Sequence, residues 1–218
     1  MPTDSDASVV ARSLLELGAA TVGESGGRPM RGRVRPAYPG AKLAAPAYPV
    51  RCTPGDNLAV HVGVARAPHG HALVVSVGDE RERGYWGEVL TTAAEARGLA
   101  GLVIDGCVRD SAALVDHAFP VFATGLALPG ASKQEPGDVG RPTVVGDVEV
   151  EPGDWVLGDA DGVTVVAADD LAAVLAAAQA RAEKEKEMFE RLRNGETTLD
   201  LLALDPAPVR TADDDREH

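Results

Sequence analysis

Only two cysteines, Cys52 and Cys107, occur in the 218 residues of the chain. That is too few for a disulfide framework or a zinc cage. No apolar run approaches the roughly 20 residues that cross a bilayer. The start, Met-Pro-Thr-Asp-Ser-Asp, lacks the basic residues of a secretory signal. A reduced cytoplasmic protein with no membrane partner is therefore expected. Basic charge is also short: 21 Lys and Arg stand against 34 Asp and Glu, a net charge of −13. Such a chain repels phosphate backbones, which excludes non-specific nucleic-acid binding but not docking on a basic patch of another protein. Nucleotide signatures are missing too. No G-x-G-x-x-G follows a strand, no G-x-x-x-x-G-K-[ST] occurs, and there is no G-x-S-x-G nucleophile turn.

What is present is ordinary for a globular protein, with 44% hydrophobic and 25% charged residues. One domain over residues 1–205 is expected, with residues 206–218 as a disordered acidic tail. A short helical pattern runs from 8 to 18. Residues 23–56, rich in Gly, Pro and Arg, predict loops and short strands. Asn57 to Val64 alternates and predicts a strand. Ala72 to Val77 is a continuous apolar run, which suits a strand buried on both faces. A helical stripe follows, with Gly87 at its start and Gly98 in the C′ position. Leu102 to Asp105 is the next strand, so the unit implies a parallel pair with a right-handed crossover. A short helix from Asp110 to His117 and a strand from Pro120 to Thr124 complete this half. Short strands at Thr143–Val150, Trp155–Gly158 and Val163–Ala167 precede a long helix that stops at Asn194-Gly195. The expected fold is α/β, a mixed sheet packed with helices and a projecting last helix.

The first turn of the helix at Gly87 offers free N–H groups and a partial positive charge. Glycine lets a ligand approach, so the amides of Val89 and Leu90 are candidates to hold a carboxylate. Glu88 in the same turn also suits simple helix-dipole stabilisation. Arg109 and Asp110 follow a buried strand, and ligands of α/β sheets sit at strand carboxyl ends. An arginine fork grips a carboxylate in two places, and an aspartate beside it can hold Mg²⁺. The competing expectation is an Arg–Asp pair with Asp110 as the helix N-cap. In the last helix, Glu185 lies on the apolar stripe while Glu183 and Glu187 fall outside it. A glutamate on a packing face needs a partner, although a solvated helix face remains the alternative. His69 and His71 have no third ligand nearby in sequence. Cys107 is expected as a small buried residue, and Lys133 as a surface group.

Gly84-Tyr-Trp-Gly-Glu-Val-Leu, Ala-Arg-Gly-Leu-Ala-Gly-Leu-Val-Ile-Asp-Gly-Cys-Val-Arg-Asp, Phe-Pro-Val-Phe-Ala and the block from Val150 to Val166 together resemble the regulator-of-ribonuclease-E-like family. That family includes the 4-hydroxy-4-methyl-2-oxoglutarate and 4-carboxy-4-hydroxy-2-oxoadipate aldolases. The likeness covers roughly residues 55 to 198. It implies a swivelling β/β/α-type fold and homotrimers, often paired into hexamers. It also implies a metal-dependent class II aldolase that forms a pyruvate enolate from a small 2-oxo acid; the same site is expected to decarboxylate oxaloacetate, because that reaction passes through the same enolate. On that resemblance Arg109 and the amides of Val89 and Leu90, with Gly87, bind pyruvate, and Asp110 binds Mg²⁺ or Mn²⁺. Glu88 and Glu185, the latter from an adjacent subunit, bind metal-held waters, and such a water moves the proton. Ala-Ala-Thr-Val-Gly-Glu-Ser, residues 19–25, departs from the Thr-x-x-x-Asp-Ala of many relatives. Nothing here resembles an S-adenosylmethionine loop. The rival expectation is a non-catalytic protein that binds and inhibits a ribonuclease.

Overall fold

The computed structural model describes residues 4–210, with side chains from Ala7 onward. Residues 211–218 of the acidic end lie outside the described residues. The chain divides into two compact units, Met1–Ala178 and Gln179–His218.

In the first unit, helices α1 (Asp4–Leu17) and α2 (Ala19–Glu24) are separated by Gly18, whose φ of 81° lies in the left-handed region that favours glycine. The segment 19–25 is mostly α2. The sheet runs in the order Arg28–Pro29, Gly162–Val166, Trp155–Asp159, Leu43–Cys52, Ala72–Ser76, Gly101–Ile104, Val121–Ala123 and Arg35–Pro36. Leu43–Cys52, Ala72–Ser76, Gly101–Ile104 and Val121–Ala123 are parallel neighbours. Their connections carry α3 (Leu58–Arg66), α4 (Glu88–Ala96) and α5 (Ser111–His117). This is the mixed sheet with helices that the sequence predicts.

Three local expectations are corrected. Asn57–Val64 is not a strand but the start of α3. Ala59, Val60, Gly63 and Val64 are buried at helical spacing, and the β-branched residues in between mimic a two-residue period. Leu43–Cys52 is a ten-residue central strand where only loops and short strands are expected. It pairs antiparallel with Trp155–Asp159 up to Pro46 and parallel with Ala72–Ser76 from Ala47. Thr143–Val150 is a hairpin of Thr143–Val145 and Val148–Val150, turned at Gly146 and Asp147, whose φ values are 56° and 62°.

Alternate residues of the central strands feed opposite faces. Leu73, Val75, Leu102 and Ile104 pack with Val60, Val64, Leu90, Ala94 and Leu114 of the crossover helices. Ala72, Val74, Val103 and Phe122 face Met30, Val34, Val145 and Val150. Each such Val, Leu, Ile, Phe or Met side chain contributes about 1.5–3 kcal/mol by leaving water. A third cluster joins Leu14 and Val22 to Trp155, Leu157 and the first turns of the last helix, α6 (Leu171–Arg193), through Val174 and Ala178. Asp105, at the end of its strand, is clasped by Arg33 through two 2.8 Å bonds and by Arg81 at 3.1 Å. Burial alone would raise its pKa, but the two guanidinium groups hold it below the usual carboxylate range.

In the second unit α6 continues to Arg193 and closes at Gly195, with φ 96°, where the sequence predicts a stop. A short helix α7 (Thr198–Leu201) follows, and the Thr197 hydroxyl caps it by accepting the Asp200 amide at 3.2 Å. No helix of the described residues is long and apolar enough to cross a membrane.

Candidate active site

The strands Ala72–Ser76 and Gly101–Ile104 are parallel, so the segments that leave their carboxyl ends lie at one sheet edge. There they run side by side. Tyr85 N–H donates to Cys107 O at 3.1 Å, and Arg109 N–H donates to Trp86 O at 2.9 Å. Packing fixes this frame. Tyr85 and Trp86 are fully buried. Trp86 stacks on Phe119 with centroids 6.0 Å apart, and its Nε1–H donates to Thr91 Oγ1 at 2.7 Å. The Tyr85 hydroxyl accepts the Gly55 amide at 2.8 Å and donates to Glu80 O. The polar ends of both aromatics are thus satisfied, and the backbone from Gly84 to Gly87 has little freedom.

The frame brings Arg109 to the opening of α4. A Cβ on Gly87 would lie 3.1 Å from Arg109 Cγ and 2.3 Å from Asp110 Oδ2. One on Gly84 would meet Arg109 Cδ at 2.9 Å. The glycines are therefore needed for close approach, since Gly87 itself is extended at φ −171°. Asp110 sits in the left-handed region at φ 57°, ψ 40°, which costs a non-glycine residue about 1 kcal/mol or more. Its carboxylate makes no capping bond to α5, the helix it precedes. It accepts the Glu88 amide of α4 at 3.1 Å instead. The Asp110 side chain keeps 41% of its surface exposed, and Arg109 Nε lies 3.8 Å from its Oδ2. Both are open to a ligand. The N–H groups of Val89 and Leu90, in the first turn, have no acceptor among the described residues. Glu88 projects from the same turn, 59% exposed, with Oε1 4.0 Å from His117 Nε2. His117 in turn bonds Glu95 at 2.8 Å.

Gly87, Val89, Leu90, Arg109 and Asp110 share the lining of a pocket of about 210 Å³, whereas Glu88 projects beside it and is not among the lining residues. The lining also holds three residues that the sequence reading did not bring here: Asn57, His61 and Lys133. Asn57 opens α3 and is 5% exposed. Its Nδ2 donates to Tyr85 O at 2.8 Å, while Oδ1 is buried with no partner among the described residues. His61 Nε2 is likewise buried without a partner. Burial, then the charge of Lys133, lower the His61 pKa against a smaller opposing pull from Asp56. Lys133 is brought in by Asp56, whose carboxylate accepts Leu58 N–H at 2.8 Å, the Ser132 hydroxyl at 2.7 Å and Gln134 N–H at 2.6 Å. Burial works to raise the Asp56 pKa, but these donors and the Glu135 amide bring it to about 2. The Asp56-Asn57 pair before an apolar run was the signal available for a helix start here.

Glu185 belongs to the second unit, where Arg181 Nε lies 2.9 Å from its Oε1, one turn back along α6. Glu183 pairs with Lys186 at 2.6 Å. Cys107 is 8% exposed, as expected of a small buried residue. Among the described residues no three His, Cys, Asp or Glu side chains converge as a metal-ligand set. The donors at the pocket rim fit a hard cation that keeps most of its waters. Asp110 offers an exposed carboxylate, and the exposed side chain of Glu88, whose amide bonds that carboxylate, suits a metal-held water.

A family model described as RraA-like, Aldolase/RraA, matches residues 5–165. A protein from Halalkalibacterium halodurans named "Putative 4-hydroxy-4-methyl-2-oxoglutarate aldolase" is 34% identical over 133 residues, 61% of this chain and 63% of that one. The match thus spans somewhat under two thirds of that relative's length. The crystal structure of an uncharacterized protein from Pseudomonas syringae pv. tomato superposes with a TM-score of 0.78 at 25% identity, covering 90% of this chain and 95% of that one. Streptomyces coelicolor RraAS2, described as an unusual member of the RNase ES inhibitor RraA protein family, superposes with a TM-score of 0.73 at 25% identity, covering 88% and 100%.

Proposed function

The chain belongs to the RraA-like, Aldolase/RraA family, and on that footing we propose that it is a divalent-metal-dependent lyase. Its substrates are 2-oxo acids of the 4-hydroxy-4-methyl-2-oxoglutarate kind, cleaved through a pyruvate enolate, and it also decarboxylates oxaloacetate. The relative named as an aldolase supports the reaction class. The observation that carries the reading is the convergence of Arg109, Asp110 and the unbonded amides of Val89 and Leu90 on one small pocket.

The substrate carboxylate lies between the Arg109 fork and the first-turn amides, where full charge meets a helix N-terminus. Arg109 also faces the C2 oxygen, where negative charge grows as the carbon–carbon bond breaks. Asp110 holds Mg²⁺ or Mn²⁺, which when bound supplies electrophilic stabilisation of that oxygen. Glu88, and Glu185 of the partner subunit, orient the water that delivers a proton to the enolate carbon. This asks for a homo-oligomer, a trimer or a hexamer. Val89 at 76% exposure and Leu128 at 89% support a covered face beside the site, because Leu128 follows the segment whose Ala127 amide bonds Val108 O. Decarboxylation of oxaloacetate passes through the same enolate, so pyruvate release with and without EDTA tests the reading. EDTA-sensitive release supports it. No release under either condition favours the second reading, a regulator docking on a ribonuclease, to which the likeness to RraAS2 points.

A further inference from the structure

Asn57 Oδ1 and His61 Nε2 are buried polar atoms without partners on the lining of the pocket that holds Arg109. A buried polar atom left unbonded among the described residues is costly, so the pair asks for a ligand. Its chemistry can be read from the bonds already made. Asn57 Nδ2 is committed to Tyr85 O at 2.8 Å, which fixes the amide orientation and leaves Oδ1 as an acceptor. A carboxylate cannot satisfy an acceptor, whereas a hydroxyl can. His61 follows four residues later, one turn along α3, and a neutral imidazole with its proton on Nδ1 presents a second acceptor there. Both atoms are closed to solvent, so a ligand must displace a neighbour to reach them. Lys133 on the same lining is exposed, and its Nζ donates to Ala131 O at 3.3 Å. It is the side chain suited to move, and its ammonium suits the distal carboxylate of a diacid.

We propose that Asn57 and His61 line a wall that recognises the C4 hydroxyl of a 4-hydroxy-2-oxo diacid, its one O–H donated to His61 Nε2, which accepts that proton during cleavage. This rests on the lyase reading and deepens it. In the step, the O–H proton moves to Nε2 and the C4–O bond becomes a carbonyl. The C3–C4 bond breaks, and its electron pair stays on C3 as the pyruvate enolate. The enolate then takes one proton from water at C3, and the imidazolium returns its own to solvent. Oxaloacetate has no C4 hydroxyl, so its decarboxylation does not need the base.

Two measurements on the full chain with Mg²⁺ test the wall. The first is calorimetric binding of 2,4-dihydroxyglutarate against 2-hydroxyglutarate, which do not turn over. The unaltered protein should prefer the dihydroxy acid about tenfold, and His61→Phe should abolish that preference. The second is the ratio of 4-hydroxy-2-oxoglutarate cleavage to oxaloacetate decarboxylation. It should fall about 100-fold in His61→Phe. In His61→Gln, which keeps hydrogen-bonding capacity but not basicity, the ratio should fall while the binding preference remains. A ratio that stays constant in both variants, or an unchanged preference in His61→Phe, overturns the wall and leaves the lyase standing. Failure of the unaltered protein to turn over either substrate overturns both.

Discussion

The carboxylate of Asp110 accepts the Glu88 amide at 3.1 Å, and so caps the helix of one crossover while preceding the helix of the next. An ordinary N-cap would have bonded the first turn of α5. Instead the side chain ties the end of one strand–helix link to the start of another, beside Arg109. The left-handed backbone at Asp110 is the strain that makes this possible.

Removing the charge at residue 110 should therefore separate catalysis from folding. Asp110→Asn keeps an acceptor for the Glu88 amide, so thermal stability should change by less than about 1 kcal/mol. Divalent-cation-dependent pyruvate release from oxaloacetate should vanish. Arg109→Ala should lower kcat/KM by about 10²–10³-fold, the usual cost of a lost oxyanion donor. Undiminished turnover in either purified variant would rule the mechanism out.

Gly87→Ala tests the close approach. The backbone there is extended, so alanine carries no conformational penalty, but its Cβ would sit 2.3 Å from Asp110 Oδ2. The carboxylate must move. A displacement of about 1 Å at a reacting centre costs roughly 100-fold in rate. Kinetics should show that loss while circular dichroism shows an intact fold. Wild-type kinetics would mean that the position of Asp110 does not matter.

Half of this pocket was legible from sequence, and the reason is local. Gly87 to Leu90 and Arg109-Asp110 lie in the segments that leave the carboxyl ends of two successive parallel strands, so a strand–helix–strand reading is enough to bring them together. The other half was hidden by two ambiguities. Asn-Leu-Ala-Val-His-Val-Gly-Val satisfies a two-residue and a 3.6-residue period equally, and the strand reading put His61 on the wrong element. Lys133 reaches the pocket through Asp56, 77 positions earlier, by hydrogen bonds to Ser132 and Gln134 that no local pattern announces. The central strand Leu43–Cys52 was masked by Pro46 and Pro49, which usually argue against an inner strand.

Asp56 should make the fold acid-sensitive in a defined window. Its folded pKa of about 2 lies below the ordinary 3.8. A depressed carboxylate contributes stability that is complete above the unfolded value and is lost as pH falls through the folded one. Stability should therefore decline between about pH 4 and pH 2. Asp56→Asn should cost about 1.5–3 kcal/mol at neutral pH and flatten that part of the profile. Urea midpoints measured across this range check both. An unaltered slope in the variant would assign the acid sensitivity elsewhere.

Glu185 offers a test of subunit sharing. The reading gives each site Arg109 from one subunit and Glu185 from its neighbour. Arg109→Ala and Glu185→Ala oligomers should each retain about 1% of wild-type activity or less alone. Mixed at equal amounts and allowed to exchange subunits, they should regain activity, because a site with Arg109 from one parent and Glu185 from the other is complete. Random mixing makes about one site in four complete, so roughly a quarter of wild-type decarboxylation is expected. If both functions came from the same chain, every site would lack one of them at any mixing ratio, and no activity would return. Recovery near one quarter, scaling with the product of the two fractions, therefore discriminates a shared site from a self-contained one.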